Sequence, residues 1–415
     1  MKGEEENSGE KIARDFMVQE TVLRIIGIWP TSVNNFASTG RWILAIMTHI
    51  GTICSLSLEV YRHCLNIGDT MDAFVMDLSS VISLSKLFIL RMNSKHTYAL
   101  VESIVKDWSN VDDSRHERIM MEYFKKGRIV SLVILYLGYA SGLSFIVQAL
   151  PLHVLLPFQM FKNSANSTIN LNNTLKLNYF LATHCVFGSL PLLYHICVLL
   201  LQGMHIFFNA VSHCGNDGLF FSLSMHLCGQ FEVLKMNLAE IEFETFDCQQ
   251  RVGFLVKRHC QLAVLVNDLE QSFSMIILVQ LLMSALLICV EVHTFRALSP
   301  KTGFVFLVSL NTKDNGGALR SVVLMVTLLI QLYLYAYAGN TLETQTKEIA
   351  QAAYDSLWYR CRGHEARDLL LIINRGNFPY RVTAGKFVPM NLFTFKEILK
   401  ASASYLSVLK VMMDI

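Results

Sequence analysis

The chain has 415 residues, 53% of them hydrophobic and only 16% charged, and its mean hydropathy is +0.40. A soluble domain usually carries about 25% charged residues, so this balance indicates an integral membrane protein. The formal charge of +2 gives no support for nucleic acid as a partner, and the sequence has no glycine-rich phosphate loop.

The motifs that the sequence lacks exclude further classes of function. It has no HExxH motif and no nucleophile elbow, so we expect no enzymatic activity. Its ten cysteines are scattered without CxxC or Cys/His spacing, so we expect neither a metal nor another cofactor. The start, "MKGEEENSGEK", is too polar for a cleavable secretory signal, and residues 1–40 are predicted to form a cytosolic segment.

A helix needs about 20 mostly apolar residues to cross the hydrocarbon core of a bilayer. The second and last candidate spans are interrupted by charged residues, such as Asp77, Lys86 and Glu397, and need protein or water beside them. Pro191 is expected to kink the fourth span. The predicted fold is therefore all-α, with seven transmembrane helices at approximately 41–60, 71–90, 129–150, 178–208, 271–291, 318–338 and 387–411.

Two patterns predict the orientation of these spans. The loop after the third span contains glycosylation sequons at Asn166 and Asn172, which would be modified outside the cell. The N-terminal segment and the loops after spans two, four and six hold 23 lysines and arginines, and the remaining loops hold 6. Positive charge favours the cytosol, so the N-terminus is predicted to be cytosolic and the C-terminus extracellular.

The predicted cytosolic segments 91–128, 209–270 and 339–386 have helical patterns of their own. Within 209–270, apolar residues recur every three or four positions, at Phe220, Leu223, Leu227, Phe231, Leu234 and Leu238. We expect spans four, five and six to continue as helices into the cytosol and to pack together there.

Three motifs resemble those of the insect odorant receptor family, and they occur in the family's order. They are "LRIIGIWP" (Leu23–Pro30), then Gly339–Leu342 with Ala353-Tyr354 and Trp358-Tyr359, and finally "SYLSVLKVMMDI" (Ser404–Ile415). The resemblance implies an odorant-gated, non-selective cation channel in the plasma membrane of an olfactory neuron. It also implies a heterotetramer with the shared odorant receptor co-receptor. The co-receptor's long insertion between spans four and five is missing from 209–270, so this chain resembles an odorant-tuning subunit.

The resemblance also implies roles for the last two segments. Residues 339–386 would form a cytosolic anchor between subunits, made by Leu342, Ile349, Ala353, Tyr354 and Trp358. The alternative is an amphipathic helix lying on its own subunit.

Residues 387–415 would form the pore-lining helix, with a hydrophobic gate at Val408 and Met412. At 100° per residue, Glu397, Ala401 and Ser404 share that face and would suit cation passage. A salt bridge from Glu397 to Lys400 or to a neighbouring helix is the alternative.

The family places its ligand pocket within residues 41–338, in the outer half of spans two, three, four and six. A pocket for volatile molecules should be mostly apolar and aromatic. The candidates on predicted inward faces are Phe74, Leu78, Tyr136, Tyr139, Leu143, His184, Phe187, Val322 and Met325. Ordinary core packing is the alternative for each of them. Asp77 is expected to have a functional role or a partner, either Ser80 or a neighbouring helix.

Three other classes of protein compete with this interpretation. A gustatory-type receptor channel would share the fold. A G-protein-coupled receptor would have the opposite orientation, and a small-solute transporter would be expected to show internal repeats, which we do not find.

Overall fold

The structure is a computed structural model that describes residues 18–62, 67–111, 113–149, 179–241, 248–298, 315–356, 358–360 and 363–413. The described chain is almost entirely helical, as the sequence predicts. Its helices are α1 (Phe36–Tyr61), α2 (Ile67–Met92), α3 (Ser94–Ser109), α4 (Ser114–Ala149), α5 (His184–Phe187), α6 (Leu192–Ala239), α7 (Cys248–Leu298), α8 (Asn315–Asp355), α9 (Gly363–Arg375) and α10 (Leu392–Met413). Two strands, β1 (Thr383–Ala384) and β2 (Val388–Pro389), pair antiparallel between α9 and α10.

Six of the described helices are long and apolar enough to cross a membrane, namely α1, α2, α4, α6, α7 and α8. They correspond to the first six predicted spans. The last helix, α10, has 22 residues, four of them charged (Lys396, Glu397, Lys400 and Lys410), and it is not among the six found in the described part of the chain. The seventh span therefore stays a prediction.

The expected continuation of spans four, five and six is confirmed. Helix α6 runs for 48 residues, α7 for 51 and α8 for 41, each without a break between its apolar part and its amphipathic part. Their extensions share the largest hydrophobic core of the described chain, where Phe231, Leu262 and Leu342 are fully buried. The main core thus lies largely among the extensions of α6, α7 and α8, beyond their apolar parts.

The N-terminal motif is part of this core. Leu23, Ile26 and Ile28 are completely buried, and Trp29 is nearly so. The guanidinium of Arg91 at the end of α2 donates to the carbonyl oxygens of Gly27 at 2.6 Å and Val33 at 3.0 Å. These bonds attach the segment before α1 to the base of the helical bundle.

Two boundaries differ from the sequence prediction. Pro191 does not kink a helix: it directly precedes α6, whose first residue is Leu192, so its missing N–H is of no consequence there. The anchor candidates do not share one helix, because α8 stops at Asp355 and Trp358 belongs to a separate 3-10 turn, Trp358–Arg360.

The β1–β2 hairpin docks on α7 and leads the chain into α10. The backbone N–H of Gly385, which has a φ of 62°, donates to the carbonyl oxygen of Ser274 at 2.9 Å. Both Thr383 donors, the backbone N–H and the hydroxyl, bond to the carboxylate of Glu270. These hydrogen bonds attach the hairpin to α7, and with it the chain that leads into α10.

Gly339 lies where α8 meets the segment between β2 and α10. A Cβ atom built at this position would be 2.0 Å from the carbonyl oxygen of Met390, a distance that no real Cβ contact reaches. Only a glycine lets the two backbones approach this closely, and the smallest side chain would push the chain leading into α10 away from α8.

We therefore predict that Gly339→Ala lowers the free energy of unfolding by about 1–3 kcal/mol, as overpacking against rigid backbone does. The midpoint of thermal unfolding in detergent would measure this loss. Gly253→Ala is the matched control, because Gly253 lies in the second turn of α7 with nothing within 4 Å of its Cβ position. Equal midpoints for both variants would contradict a close contact at Gly339.

Candidate functional site

A cavity of about 90 Å³ lies between α2, α4, α6, α7 and α8. Most of its wall is apolar, and no charged side chain is among the residues that line it. The lining residues are Val75, Met76, Ser79, Ile82, Gly138, Ser141, Gly142, Phe145, Ile206, Asn209, Ala210, His213, Cys214, Leu287, Leu324, Thr327, Leu328 and Gln331.

Small residues on α4 make room for this cavity. Gly138, Ser141 and Gly142 occupy one face of the helix at three- and four-residue spacing. A Cβ atom at Gly138 would lie 2.1 Å from Sγ of Cys214, so α4 and α6 approach closely at this level. Space for a ligand exists here because these positions lack bulky side chains.

One wall of the cavity is polar and consists of Ser79 on α2 with Asn209 and His213 on α6. Nδ2 of Asn209 donates to Oγ of Ser79 at 3.0 Å, and Nε2 of His213 lies 3.2 Å from the carbonyl oxygen of Ser79. Oδ1 of Asn209 accepts no hydrogen bond from any described group. The wall thus retains acceptor capacity beside the cavity.

Behind this wall lies a buried ion pair. Nζ of Lys86 is 2.5 Å from Oδ1 of Asp217, and the two side chains are 1% and 3% exposed. The Tyr335 hydroxyl donates to the same oxygen at 2.5 Å. The sequence predicted that span two would need protein or water beside charged residues such as Lys86, and for Lys86 the neighbour is protein. The pair joins α2, α6 and α8 at one point.

Two further buried histidines continue the polar face of α2. Nε2 of His49 lies 2.9 Å from Oγ of Ser83, and Nε2 of His205 lies 3.1 Å from Oγ of Ser80. The two rings meet edge to face with their centroids 4.8 Å apart. Sequence reasoning missed this network, although the spacing of Ser79, Ser83 and Lys86 marks a polar stripe on an otherwise apolar span.

None of the nine residues expected to contact a ligand lines the cavity, although spans two, three, four and six all contribute to it. Phe74, Leu78, Val322 and Met325 are half-buried beside lining residues. Tyr139 is half-buried and stacks on Phe207, with 6.3 Å between ring centroids. Contact between these residues and an odorant stays a prediction.

The inward orientation expected for two residues on α4 was wrong. Tyr136 is 72% exposed and Leu143 is 57% exposed, whereas the inward face of α4 is formed by Gly138, Ser141 and Gly142. Helix packing selected the small residues for the interior, and the bulky side chains point outward.

The other candidates lie away from the cavity or outside the described chain. His184 and Phe187 belong to the short helix α5, where both rings contact Tyr179 at centroid distances of 5.3 and 6.0 Å. Asp77 accepts a hydrogen bond from Ser57 of α1 at 3.0 Å, which is the neighbouring-helix alternative. Asn166 and Asn172 lie outside the described residues.

The anchor candidates divide into buried and exposed residues. Leu342, Ile349 and Ala353 are 0–1% exposed and pack inside their own subunit, so their side chains are unavailable to a partner. This burial matches the alternative of a helix lying on its own subunit. Tyr354 is 58% exposed and Trp358 is half-buried.

The pore candidates lie on α10. Glu397, Ala401 and Ser404 are exposed in the single chain, and Glu397 accepts a 2.8 Å bond from Lys400, as the salt-bridge alternative anticipated. The side chains of Val408 and Met412 lie outside the described part of the structure.

The chain matches the 7tm Odorant receptor family over residues 66–403, most of its length. It belongs to that family. This odorant receptor is 22% identical to Odorant receptor 22c of Drosophila melanogaster, over 93% of this chain and 94% of that protein. It is 23% identical to Odorant receptor 10 of Aedes albopictus, over 83% and 85% of the two chains.

Solved structures agree on the fold. The receptor superimposes on the insect olfactory receptor OR5 of Machilis hrabei with a TM-score of 0.77, at 13% identity and over 97% and 98% of the two chains. The structure of OR5 in complex with eugenol gives a TM-score of 0.71 at 14% identity, with the same coverage. The expected family and the expected helical membrane fold are confirmed, and the family is one of receptors.

The buried pair yields a stability prediction. Asp217→Asn leaves the Lys86 ammonium buried without its counter-ion and should lower the free energy of unfolding by about 3–5 kcal/mol. The triple variant Lys86→Met/Asp217→Leu/Tyr335→Phe removes all three polar groups and should regain most of this loss, since apolar replacements of similar volume are often neutral. The midpoints of thermal unfolding in detergent would be measured for Asp217→Asn and for the triple variant. A triple variant as unstable as Asp217→Asn would contradict this account.

Proposed function

We propose that this receptor is an odorant-binding subunit of a ligand-gated, non-selective cation channel, and that its odorant occupies the cavity between α2, α4, α6, α7 and α8. The observation that carries the proposal is the cavity itself, which is largely apolar and is lined by residues of five helices of membrane-spanning type. The complex of the similarly folded Machilis hrabei receptor with eugenol supports a small organic molecule as the ligand.

The lining chemistry favours a neutral ligand with an apolar body and few polar groups. No charged side chain lines the cavity, and the charges behind its wall, Lys86 and Asp217, compensate each other. A charged ligand would lose its hydration without gaining a counter-ion. Asn209 is the group best placed to bond a polar substituent, because its Oδ1 has no partner among the described groups.

For the channel, we propose that α10 lines the pore, with Glu397, Ala401, Ser404, Val408 and Met412 on the pore face. Glu397, Ala401 and Ser404 are exposed in the single chain, as expected for a helix that faces a pore shared between subunits. An apolar constriction at Val408 and Met412 would close such a pore by expelling water.

Assembly with the odorant receptor co-receptor into a heterotetramer in the plasma membrane is part of the proposal. Three of the five anchor candidates are buried within their own subunit, so we assign the subunit contact to the exposed residues of the same region. These are Tyr354 at the end of α8, and Leu370 and Leu371 on α9, which are 45% and 66% exposed.

We also propose that the N-terminus is cytosolic, on the strength of the charge asymmetry between loops. An epitope placed before Met1 should then be stained by antibody only after cells are permeabilised. Staining of intact cells would reverse the assigned orientation of all spans. A second epitope placed between Asn166 and Asn172, in a loop assigned to the outside, is the positive control and should stain intact cells.

The proposal is tested by recording currents from cells that express this receptor with the co-receptor. The test panel contains eugenol, short-chain alcohols and short-chain esters. Wild-type receptor should give cation currents evoked by at least one compound, and cells that express the co-receptor alone should not respond to it. Failure of the whole panel in cells with verified surface protein would argue against an odorant-gated channel of this kind.

Filling the cavity should weaken the response. Ser141→Leu adds a branched side chain to the narrow wall formed by α4, and we expect at least a tenfold rise in the half-maximal odorant concentration, or about 1.4 kcal/mol. Leu143→Ala is the matched control, because Leu143 lies two residues away and points outward. A shift for Leu143→Ala with no shift for Ser141→Leu would place the ligand elsewhere.

A further inference from the structure

A continuous line of polar contacts leads from the cavity wall to α8. Nδ1 of the cavity-lining His213 lies 3.3 Å from Nζ of Lys86, which lies 2.5 Å from Asp217, which accepts from the Tyr335 hydroxyl. An ammonium group can only donate, so Nδ1 of His213 is the acceptor and its ring proton is on Nε2. That proton points to the carbonyl oxygen of Ser79, 3.2 Å away. The donor and the acceptor in each contact along this line are thus defined.

The bonding around Asp217 is uneven. Both Lys86 and Tyr335 contact Oδ1 at 2.5 Å, while Oδ2 is buried and accepts no bond from any described group. Two donors therefore crowd onto one oxygen and leave an equivalent acceptor empty beside them. A small rotation of the carboxylate or a small shift of α8 would move one donor to Oδ2. Such a move would give a second arrangement with the same donors and the same carboxylate, and a switching element requires two arrangements of this kind.

Tyr335 lies one helical turn before the point where α8 contacts the chain that leads into α10, the proposed pore helix. One helical turn further along α8, Gly339 touches the carbonyl oxygen of Met390, two residues before α10 begins. Tyr335 is also fixed laterally, because its ring packs on Phe220 at a centroid distance of 4.8 Å. If the exchange between the two oxygens of Asp217 occurs by a shift of α8 relative to α6, that shift also acts on the segment that precedes α10.

We propose that the chain His213–Lys86–Asp217–Tyr335 couples occupancy of the cavity to the position of α8, and through Gly339 to α10. This inference rests on the proposed function and goes beyond it by naming the residues that transmit the signal. A ligand in the cavity contacts His213 or Ser79 and alters the acceptor that His213 offers to Lys86. Lys86 then redistributes its bonds between His213 and Asp217, and Tyr335 follows the carboxylate.

A purely structural ion pair would behave differently. It could be exchanged for apolar side chains with little effect on a folded receptor's response, because only packing would be needed. A coupling element must lose signal transmission when its polar groups are removed, even where folding and ligand binding survive. The test therefore needs separate readouts for folding, binding and gating.

Tyr335→Phe removes one hydroxyl and leaves the Lys86–Asp217 pair in place. Tyr337→Phe is the matched control: Tyr337 lies two residues along the same helix and stacks on Phe221. Both variants are expressed with the co-receptor and tested with the most effective compound of the panel. For Tyr335→Phe we expect the maximal evoked current per surface receptor to fall at least fivefold, whereas ligand-induced thermal stabilisation keeps its concentration dependence. Tyr337→Phe should stay within twofold of wild type in both readouts.

Two further measurements guard against a folding artefact. The triple variant Lys86→Met/Asp217→Leu/Tyr335→Phe should reach the surface and show ligand-induced stabilisation, yet give less than one fifth of the wild-type maximal current. A double-mutant cycle combines His213→Gln with Tyr335→Phe. The maximal current of the double variant should be no lower than that of the weaker single variant, because both changes interrupt the same line of polar contacts. Multiplicative losses would mean that the two residues act independently and would overturn the coupling role.

The remaining outcomes separate this inference from the function it rests on. A wild-type response that Tyr335→Phe and the triple variant leave unchanged would overturn the coupling role alone. A wild-type receptor that never responds, with the co-receptor at the surface, would overturn the proposed function and the coupling role together.

Discussion

The ion pair between Lys86 and Asp217 is the interaction on which the arrangement of the bundle depends. Removing an ammonium and a carboxylate from water costs several kcal/mol for each ion, and only close, well-oriented partners offset this. Here the partners come from α2 and α6, and the Tyr335 hydroxyl adds α8. The relative positions of these three helices are therefore restricted far more tightly than apolar packing would require. The cavity is lined by residues of the same three helices, so a change in the bonding of this pair would also change the polar wall of the cavity.

Hydropathy and charge could predict the helices, but they could not predict how the helices pair. The first six spans, the helical extensions of α6, α7 and α8, and the need of Lys86 for a partner all follow from local patterns. The partner Asp217 lies 131 residues away, in a segment whose lower hydropathy assigned it to the cytosol. Helix α6 crosses that assigned boundary without a break. Hydropathy is averaged over a span, so it cannot show which buried charged residues pair with each other.

The helices around the cavity were predicted, but the residues that line it were missed, for a different physical reason. Sequence reasoning chose bulky and aromatic side chains because they provide contact area for a ligand, and it chose Tyr136 and Leu143 on α4. A cavity instead needs positions where atoms are missing, and on α4 these are Gly138, Ser141 and Gly142. Small residues at helical spacing also bring α4 and α6 together, so one stripe serves both packing and space. That stripe is visible in the sequence and is the signal that could have located the site.

The role of the motif Gly339–Leu342 follows from its place within the continuous helix α8. Gln331 lines the cavity, Tyr335 bonds Asp217 and Gly339 contacts Met390, at successive intervals of one helical turn. These three residues span about 12 Å of a straight helix at 1.5 Å per residue. In the amphipathic part beyond them, Leu342, Ile349 and Ala353 are buried in the subunit's own core and attach this end of the helix to it. In the proposed coupling, a displacement at the cavity reaches the chain before α10 through a single helix, without crossing a loop that could absorb it. This connection requires an apolar span that continues directly into a polar helix, as α8 does.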